Sequence, residues 1–167
     1  VRNKLKDRMS DKNNTIVTYP DGSIYEGEIV DGMKAGIGTL IYPANAENGR
    51  KRYVGEWKND MICGKGIIEY QDGTLFGGVI YDNEMSGNGT VTFPDGSCYL
   101  GDVKHEKMNG TGTCSWTDGT VYEGEWVDDK MHGKGIITVK GIKYSGEWKD
   151  GEVLYLDKWG PMTLREM

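Results

Sequence analysis

The chain has 167 residues, of which 37% are apolar, with a formal net charge of −6 and 26 glycines against only 4 prolines. This composition excludes collagen and Pro/Gly-rich disorder, and the acidic balance argues against sequence-independent binding to nucleic acid, which needs a basic face. No window approaches the roughly 18 consecutive apolar residues of a membrane-spanning helix.

The chain opens on a charged segment, residues 1–14, without the apolar stretch of a signal peptide. A short helix and an unordered lead are both compatible with it. Val1 stands where an initiator Met would, which leads us to expect a portion of a longer protein. Cys63, Cys98 and Cys114 are odd in number and show no CxxC spacing. Their pattern predicts reduced thiols and an intracellular, cytoplasmic setting.

From Thr15 to Gly151 the chain repeats itself. Thr15–Tyr19 followed by Asp21-Gly22 reads as the second half of an incomplete frame over 15–24. Full frames then start at Tyr25, Tyr53, Phe76, Tyr99 and Tyr122, with a partial one at Tyr144, spaced 28, 23, 23, 23 and 22 residues apart. Each start carries a glycine two residues on: Gly27, Gly55, Gly78, Gly101, Gly124 and Gly146. The first five frames continue into Gly-x-Gly steps at Gly36/Gly38, Gly64/Gly66, Gly87/Gly89, Gly110/Gly112 and Gly133/Gly135. Four residues later stand Tyr42, Tyr70, Phe93 and Trp116, with Val139 in the fifth frame. Asp-Gly follows at 72–73, 95–96 and 118–119. The first frame is stretched by a polar loop, Pro43 to Arg52, and the fifth has Lys140-Gly141 in place of Asp-Gly.

Within each half-frame the apolar residues alternate, a strand period. Tyr53, Gly55 and Trp57 share one face, and Val54 and Glu56 the other. Asp-Gly suits a two-residue hairpin turn, while stretches such as Lys58–Cys63 read as looser loops of about six residues. Successive hairpins give an all-β fold, an elongated single-layer antiparallel β-meander with short terminal caps. All sixteen glycines above are expected to be structural, leaving bare backbone over which aromatic rings can lie. Glu26, Glu28, Glu123 and Glu125 are expected on a solvated outer face. Residues 152–167 (EVLYLDKWGPMTLREM) are too apolar for a solvated tail and read as a cap.

The pattern YEGEWxxGxxxGxGxxxxxDGxxY, nearly whole at Tyr122–Gly135 and Tyr53–Gly73, resembles the MORN repeat. The resemblance covers Thr15 to about Gly151 and implies a twisted β-meander with a shallow groove. Proteins of this family occur in membrane-contact junctions, protozoan cytoskeletal structures and ciliary radial spokes, and some precede lipid-kinase or methyltransferase domains. The resemblance thus implies the architecture and leaves the job open.

Catalytic and ligand motifs fail on inspection. The Gly-x-Gly steps lack the third glycine of a dinucleotide loop and lead into strand. Asp82–Gly87 begins like a calcium loop, but its twelfth position is Phe93 instead of a bidentate Glu. His105 and His132 sit singly in separate frames and read as turn residues, so no metal site and no cofactor are expected. The recurring Glu56, Glu125 and Glu147 read as a solvated row, and no catalytic residue is assigned.

Three functions remain. The first is a non-catalytic scaffold holding a partner's peptide or helix on an aromatic-lined concave groove, in a cytoskeletal, ciliary or membrane-associated assembly. Its candidate residues are Tyr25, Tyr42, Tyr53, Trp57, Tyr70, Phe76, Phe93, Tyr99, Trp116, Tyr122, Trp126, Tyr144 and Trp148, divided between packing rings and groove rings. The second is an anionic-phospholipid-binding module. Residues 15–151 hold 13 Lys/Arg against 21 Asp/Glu, so weak or no lipid binding is expected, with local attraction only at Arg2–Lys12 and Arg50–Arg52. The third is a regulatory region of a larger enzyme. Open sheet edges would also allow a homodimer through the array ends.

Overall fold

The computed structural model describes residues 14–159. The basic segment Arg2–Lys12 and residues 160–167 lie outside the described residues, as do the alternatives of helix or unordered lead for the start of the chain. Thirteen strands and no helix occur among the described residues. The chain forms two units, one ending at Asn83 and the other beginning at Glu84.

The first unit contains β1 (Thr15–Thr18), β2 (Ile24–Val30), β3 (Met33–Ile41), β4 (Arg50–Lys58), β5 (Met61–Tyr70) and β6 (Leu75–Tyr81). The second contains β7 (Glu84–Thr92), β8 (Cys98–Lys104), β9 (Lys107–Ser115), β10 (Val121–Val127), β11 (Lys130–Val139), β12 (Ile142–Lys149) and β13 (Glu152–Lys158). Within each unit every strand pairs antiparallel with the next, which makes the all-β meander of hairpins the sequence predicts.

Except at Lys140-Gly141, which is a tight turn as the sequence reading has it, the two kinds of turn are reversed from expectation. The tight two-residue turns within the units fall at Asp31-Gly32, Asn59-Asp60, His105-Glu106, Asp128-Asp129, Lys140-Gly141 and Asp150-Gly151, where both residues have φ between 47° and 87°. That is the type I′ geometry that matches strand twist. Lys58–Cys63 is therefore strand and tight turn, with no loose loop. At several of these turns the preceding frame clasps the second residue. The Asp60 N–H donates to the Lys34 carbonyl, and Asp60 Oδ1 accepts the Lys34 N–H at 2.8 Å. Asn83 with Ile62 and Asp129 with Met108 repeat this exchange.

The Asp-Gly pairs at 21–22, 72–73, 95–96 and 118–119 belong instead to wider, five-residue connections that read aromatic-x-Asp-Gly-Ser/Thr. In Phe93–Ser97, the Phe93 N–H donates to the Ser97 carbonyl and the Gly96 N–H to the Phe93 carbonyl, each at 2.9 Å. Asp95 Oδ1 accepts the Ser97 N–H at 2.8 Å and its hydroxyl at 2.5 Å. Only Gly96 has positive φ there, so the Asp acts through its side chain and the Gly through its backbone.

The sixth frame is a complete hairpin. Glu152–Lys158 pairs with β12 as strand β13 from Trp148↔Val153 to Tyr144↔Lys158, so the expected tail begins with the frame's own second strand.

Candidate partner-binding surface

The two glycines of each Gly-x-Gly step have different roles. The second ones continue a row across the strands, Gly27–Gly38–Gly55–Gly66–Gly78 in the first unit and Gly89–Gly101–Gly112–Gly124–Gly135–Gly146 in the second. The opening rings Tyr25, Tyr53, Tyr99 and Tyr122 lie along this row. A Cβ on Gly66 would land inside the contact distance of the Tyr53 ring, and one on Gly112 inside that of Tyr99. The first glycine sits instead at a β-bulge; Gly64 has φ 67°, and the register shifts beside it between Gly55 and Trp57. The bulge leaves backbone donors outside the ladder, and the outer carboxylates take them. Glu56 accepts the Lys65 N–H at 3.2 Å, and Asp102 accepts the Thr111 N–H at 2.9 Å and its hydroxyl at 3.1 Å. The row read as merely solvated thus includes carboxylates that hold the bulges.

Tyr25, Tyr53, Tyr99 and Tyr122 are 0% exposed, and each hydroxyl donates to the carbonyl three residues ahead, at 2.7–3.0 Å. Burial of the phenol raises the pKa of all four, Tyr122 to about 12. The tryptophans link frames: Trp57 donates its indole N–H to the Gly38 carbonyl and Trp126 to that of Gly112, both at 3.1 Å. Edge-on contacts run from Tyr25 through Trp57 to Tyr53, and from Tyr99 through Trp126 and Tyr122 to Trp148. Each Tyr therefore covers the glycine pair of its own hairpin, while each Trp reaches back to the frame before it.

The thirteen candidate rings divide accordingly. Tyr25, Tyr53, Phe76, Tyr99, Tyr122, Trp57, Trp126 and Trp148 are buried and form the core. In this conformation the five frame-opening rings among them are buried, and the four tyrosines cover the glycine row. Tyr42, Tyr70, Phe93, Trp116 and Tyr144 are half-buried. Of these, Tyr70, Phe93 and Trp116 open five-residue connections.

Phe93 and Trp116 come together in the second unit around a depression of about 540 Å³. Met108, Met131, Cys114 and the buried Trp126 contribute its apolar lining, and Asp95, Asp129 and Lys130 its charged part. Hydrogen bonds from Ser97 hold the Asp95 carboxyl below the usual carboxylate range. Burial pushes the Cys114 thiol up to about 11, so it is a protonated, apolar part of the wall. A second depression, about 470 Å³, lies in the first unit beside Ile37, Glu28, Glu56, Cys63 and Trp57.

The remaining titratable groups are scattered. His105 Nδ1 lies 2.8 Å from Glu84 and His132 Nδ1 3.8 Å from Asp150, both near turns. The stretched loop ends before Arg50, which opens β4 with Lys51 and Arg52; Arg50 is buried and its guanidinium donates to the Asn83 carbonyl at 2.6 Å. Lys51 and Arg52 both pair with Glu69, at 2.7 and 3.3 Å.

The pattern of the MORN repeat matches residues 25–46, 53–75, 78–98, 99–121, 122–138 and 144–152, more than half of the chain. The chain belongs to the MORN-repeat family. Its MORN frames are similar to Alsin of Rattus norvegicus and of Homo sapiens, each 37% identical over 68 residues, 41% of this chain and 4% of that protein. They are also similar to Protein TIC 100 of Arabidopsis thaliana, 45% identical over 51 residues, 30% of this chain and 5% of that protein. The matched part of this MORN array thus spans about a twentieth of these relatives' length. Among solved structures, the SAS-4 (dCPAP) TCP domain of Drosophila melanogaster, in complex with a proline-rich motif of Ana2 (dSTIL), aligns at 14% identity. That alignment covers 87% of this chain and 83% of the other, with a TM-score of 0.43, too low to carry an argument.

Proposed function

We propose that this MORN array is a non-catalytic protein-binding module that holds a segment of a partner on the half-buried rings of its five-residue connections. The observation that carries this reading is the depression around Phe93 and Trp116. Tyr122 and its counterparts are spent on the glycine row, whereas these two rings stand in a cleft with charged residues around it. Aromatic anchors in a partly apolar cleft with a few polar groups are the usual means of capturing a peptide or helix.

The lipid-binding alternative has less support. Of the Arg50–Arg52 cluster, Arg50 is buried and the other two side chains pair with Glu69, leaving little free positive charge there for an anionic leaflet. Acid–base catalysis has equally little support, because Glu56 and Asp102 are engaged with bulge backbone.

The test is a partner purified after co-purification from the native cell, titrated against the wild-type chain and Trp116→Ala. At least tenfold weaker binding at unchanged stability is expected; equal binding would show that the partner does not use the Phe93–Trp116 surface.

A further inference from the structure

The two units contain the same arrangement of backbone and rings, once with a cation in place and once without. In the first unit, Lys34 is the second residue of β3, just after a tight turn. Its Nζ lies 4.4 Å from the Tyr19 ring centre, 5.5 Å from that of Trp57 and 5.8 Å from that of Tyr25. The same Nζ is 3.6 Å from Asp60 Oδ1, which also accepts the Lys34 N–H. An ammonium held between ring faces and a carboxylate is favourable twice over, through the ring quadrupoles and the opposite charge.

Met108 is the second residue of β9 and corresponds to Lys34 in the second unit. Its N–H donates to Asp129 Oδ1 at 2.8 Å and its carbonyl accepts the Asp129 N–H at 3.0 Å, the exchange that Lys34 makes with Asp60. Trp126 stands as Trp57 does, with its indole N–H on Gly112 where Trp57 is on Gly38. Phe93 opens its connection as Tyr19 does. The difference is the side chain at the centre: the thioether of Met108 brings no charge to the carboxylate of Asp129, and both line the depression of about 540 Å³. Two carboxylates, Asp95 and Asp129, line it against one ammonium, Lys130.

We propose that this depression takes the basic end of a Lys or Arg side chain from the partner, with its methylene stem along Phe93 and Trp116 and its charge at Asp129. The inference rests on the protein-binding reading above and names the chemistry of the anchor. A long basic side chain suits the cleft because the stem covers apolar surface while the head stays at the charged margin. Asp95, held ionised by Ser97, adds a second negative charge at that margin.

The test uses two pools of short degenerate peptides, identical except at the centre. One pool carries Lys or Arg there, and the other norleucine, which keeps the stem and lacks the charge. Both are titrated into the nitrogen-15-labelled full chain, and the indole N–H resonances of Trp116 and Trp126 are followed. The basic pool is expected to move these resonances with about tenfold higher affinity than the norleucine pool. Asp129→Asn, whose amide oxygen still accepts the Met108 N–H, is expected to bring the basic pool down to the norleucine level. Met108→Lys is expected to supply the missing ammonium from within and to exclude the basic pool. Equal affinity of both pools, unmoved by Asp129→Asn, would overturn the cationic anchor and leave the protein-binding reading standing. Silence of both resonances with either pool would also overturn it, while the titration of the purified partner against Trp116→Ala judges that reading separately.

Discussion

The Trp126 indole N–H donates to the Gly112 carbonyl, 3.1 Å away on a strand of the preceding frame. The ring also meets Tyr99 and Tyr122 edge-on, at 5.4 and 5.2 Å between centres. One residue thus joins two frames by a directed bond and by packing. Trp126→Phe keeps most of the ring and loses the donor, so a loss of about 1 kcal/mol is expected. Trp126→Ala removes the packing as well and should cost about 3–5 kcal/mol. Urea unfolding monitored by circular dichroism separates the two; a Trp126→Phe variant as stable as the wild type would refute the role of the indole bond, and equal losses that of the packing.

Gly66 and Gly77 lie on neighbouring strands and should respond in opposite ways. A Cβ on Gly66 meets the Tyr53 ring, so Gly66→Ala is expected to cost about 1–3 kcal/mol. Gly77 has ordinary φ, and a Cβ there meets nothing within 4 Å. Gly77→Ala should therefore be neutral or stabilising by up to about 1 kcal/mol, through reduced freedom of the unfolded chain. Denaturation midpoints of the two variants check this.

The turn His105-Glu106 holds φ of 50° and 62°, values that L residues other than Asn and Asp adopt reluctantly. Replacing the pair by Asn-Gly keeps the type I′ geometry and relieves that cost. A gain of roughly 1 kcal/mol is expected in thermal unfolding, and a loss would show that the His105 contact with Glu84 outweighs the turn.

Alkaline pH should unfold the chain in a defined window. The native state holds the Tyr122 proton up to about pH 12, whereas an unfolded tyrosine releases it near pH 10. Stability from this group is complete below roughly pH 10 and is lost as pH rises toward the folded value. Tyr25, Tyr53 and Tyr99 shift in the same direction. Denaturation midpoints should fall steeply above pH 10, less so in Tyr122→Phe; a flat profile would contradict the buried phenols.

Frame count, strand alternation and meander were legible because side-chain period and repeat spacing are both one-dimensional signals. Turn type was not. Asp-Gly is compatible with a two-residue turn and with an Asp-capped five-residue one, and the deciding partner, the hydroxyl and N–H of Ser97, carries a weak signal. Asn59-Asp60 as a tight turn needs the Lys34 backbone of another frame. The candidate site was legible only in part. Tyr122 and Trp116 look alike as aromatics, and only the register that lays Tyr122 over Gly135 separates core from surface. The equivalence of Lys34 and Met108 required the cross-frame exchange with Asp60 and Asp129.

In the proposed function the half-buried rings of the second unit, and not the repeat-opening tyrosines, meet the partner. Amide hydrogen exchange of the full chain, free and saturated with its purified partner, tests it most directly. Added protection is expected at Phe93–Ser97, Trp116–Thr120 and the Asp128-Asp129 turn, with the Glu123 and Glu125 amides unchanged. Added protection confined to the strand carrying Glu123 and Glu125, with Phe93–Ser97 and Trp116–Thr120 unchanged, would contradict it.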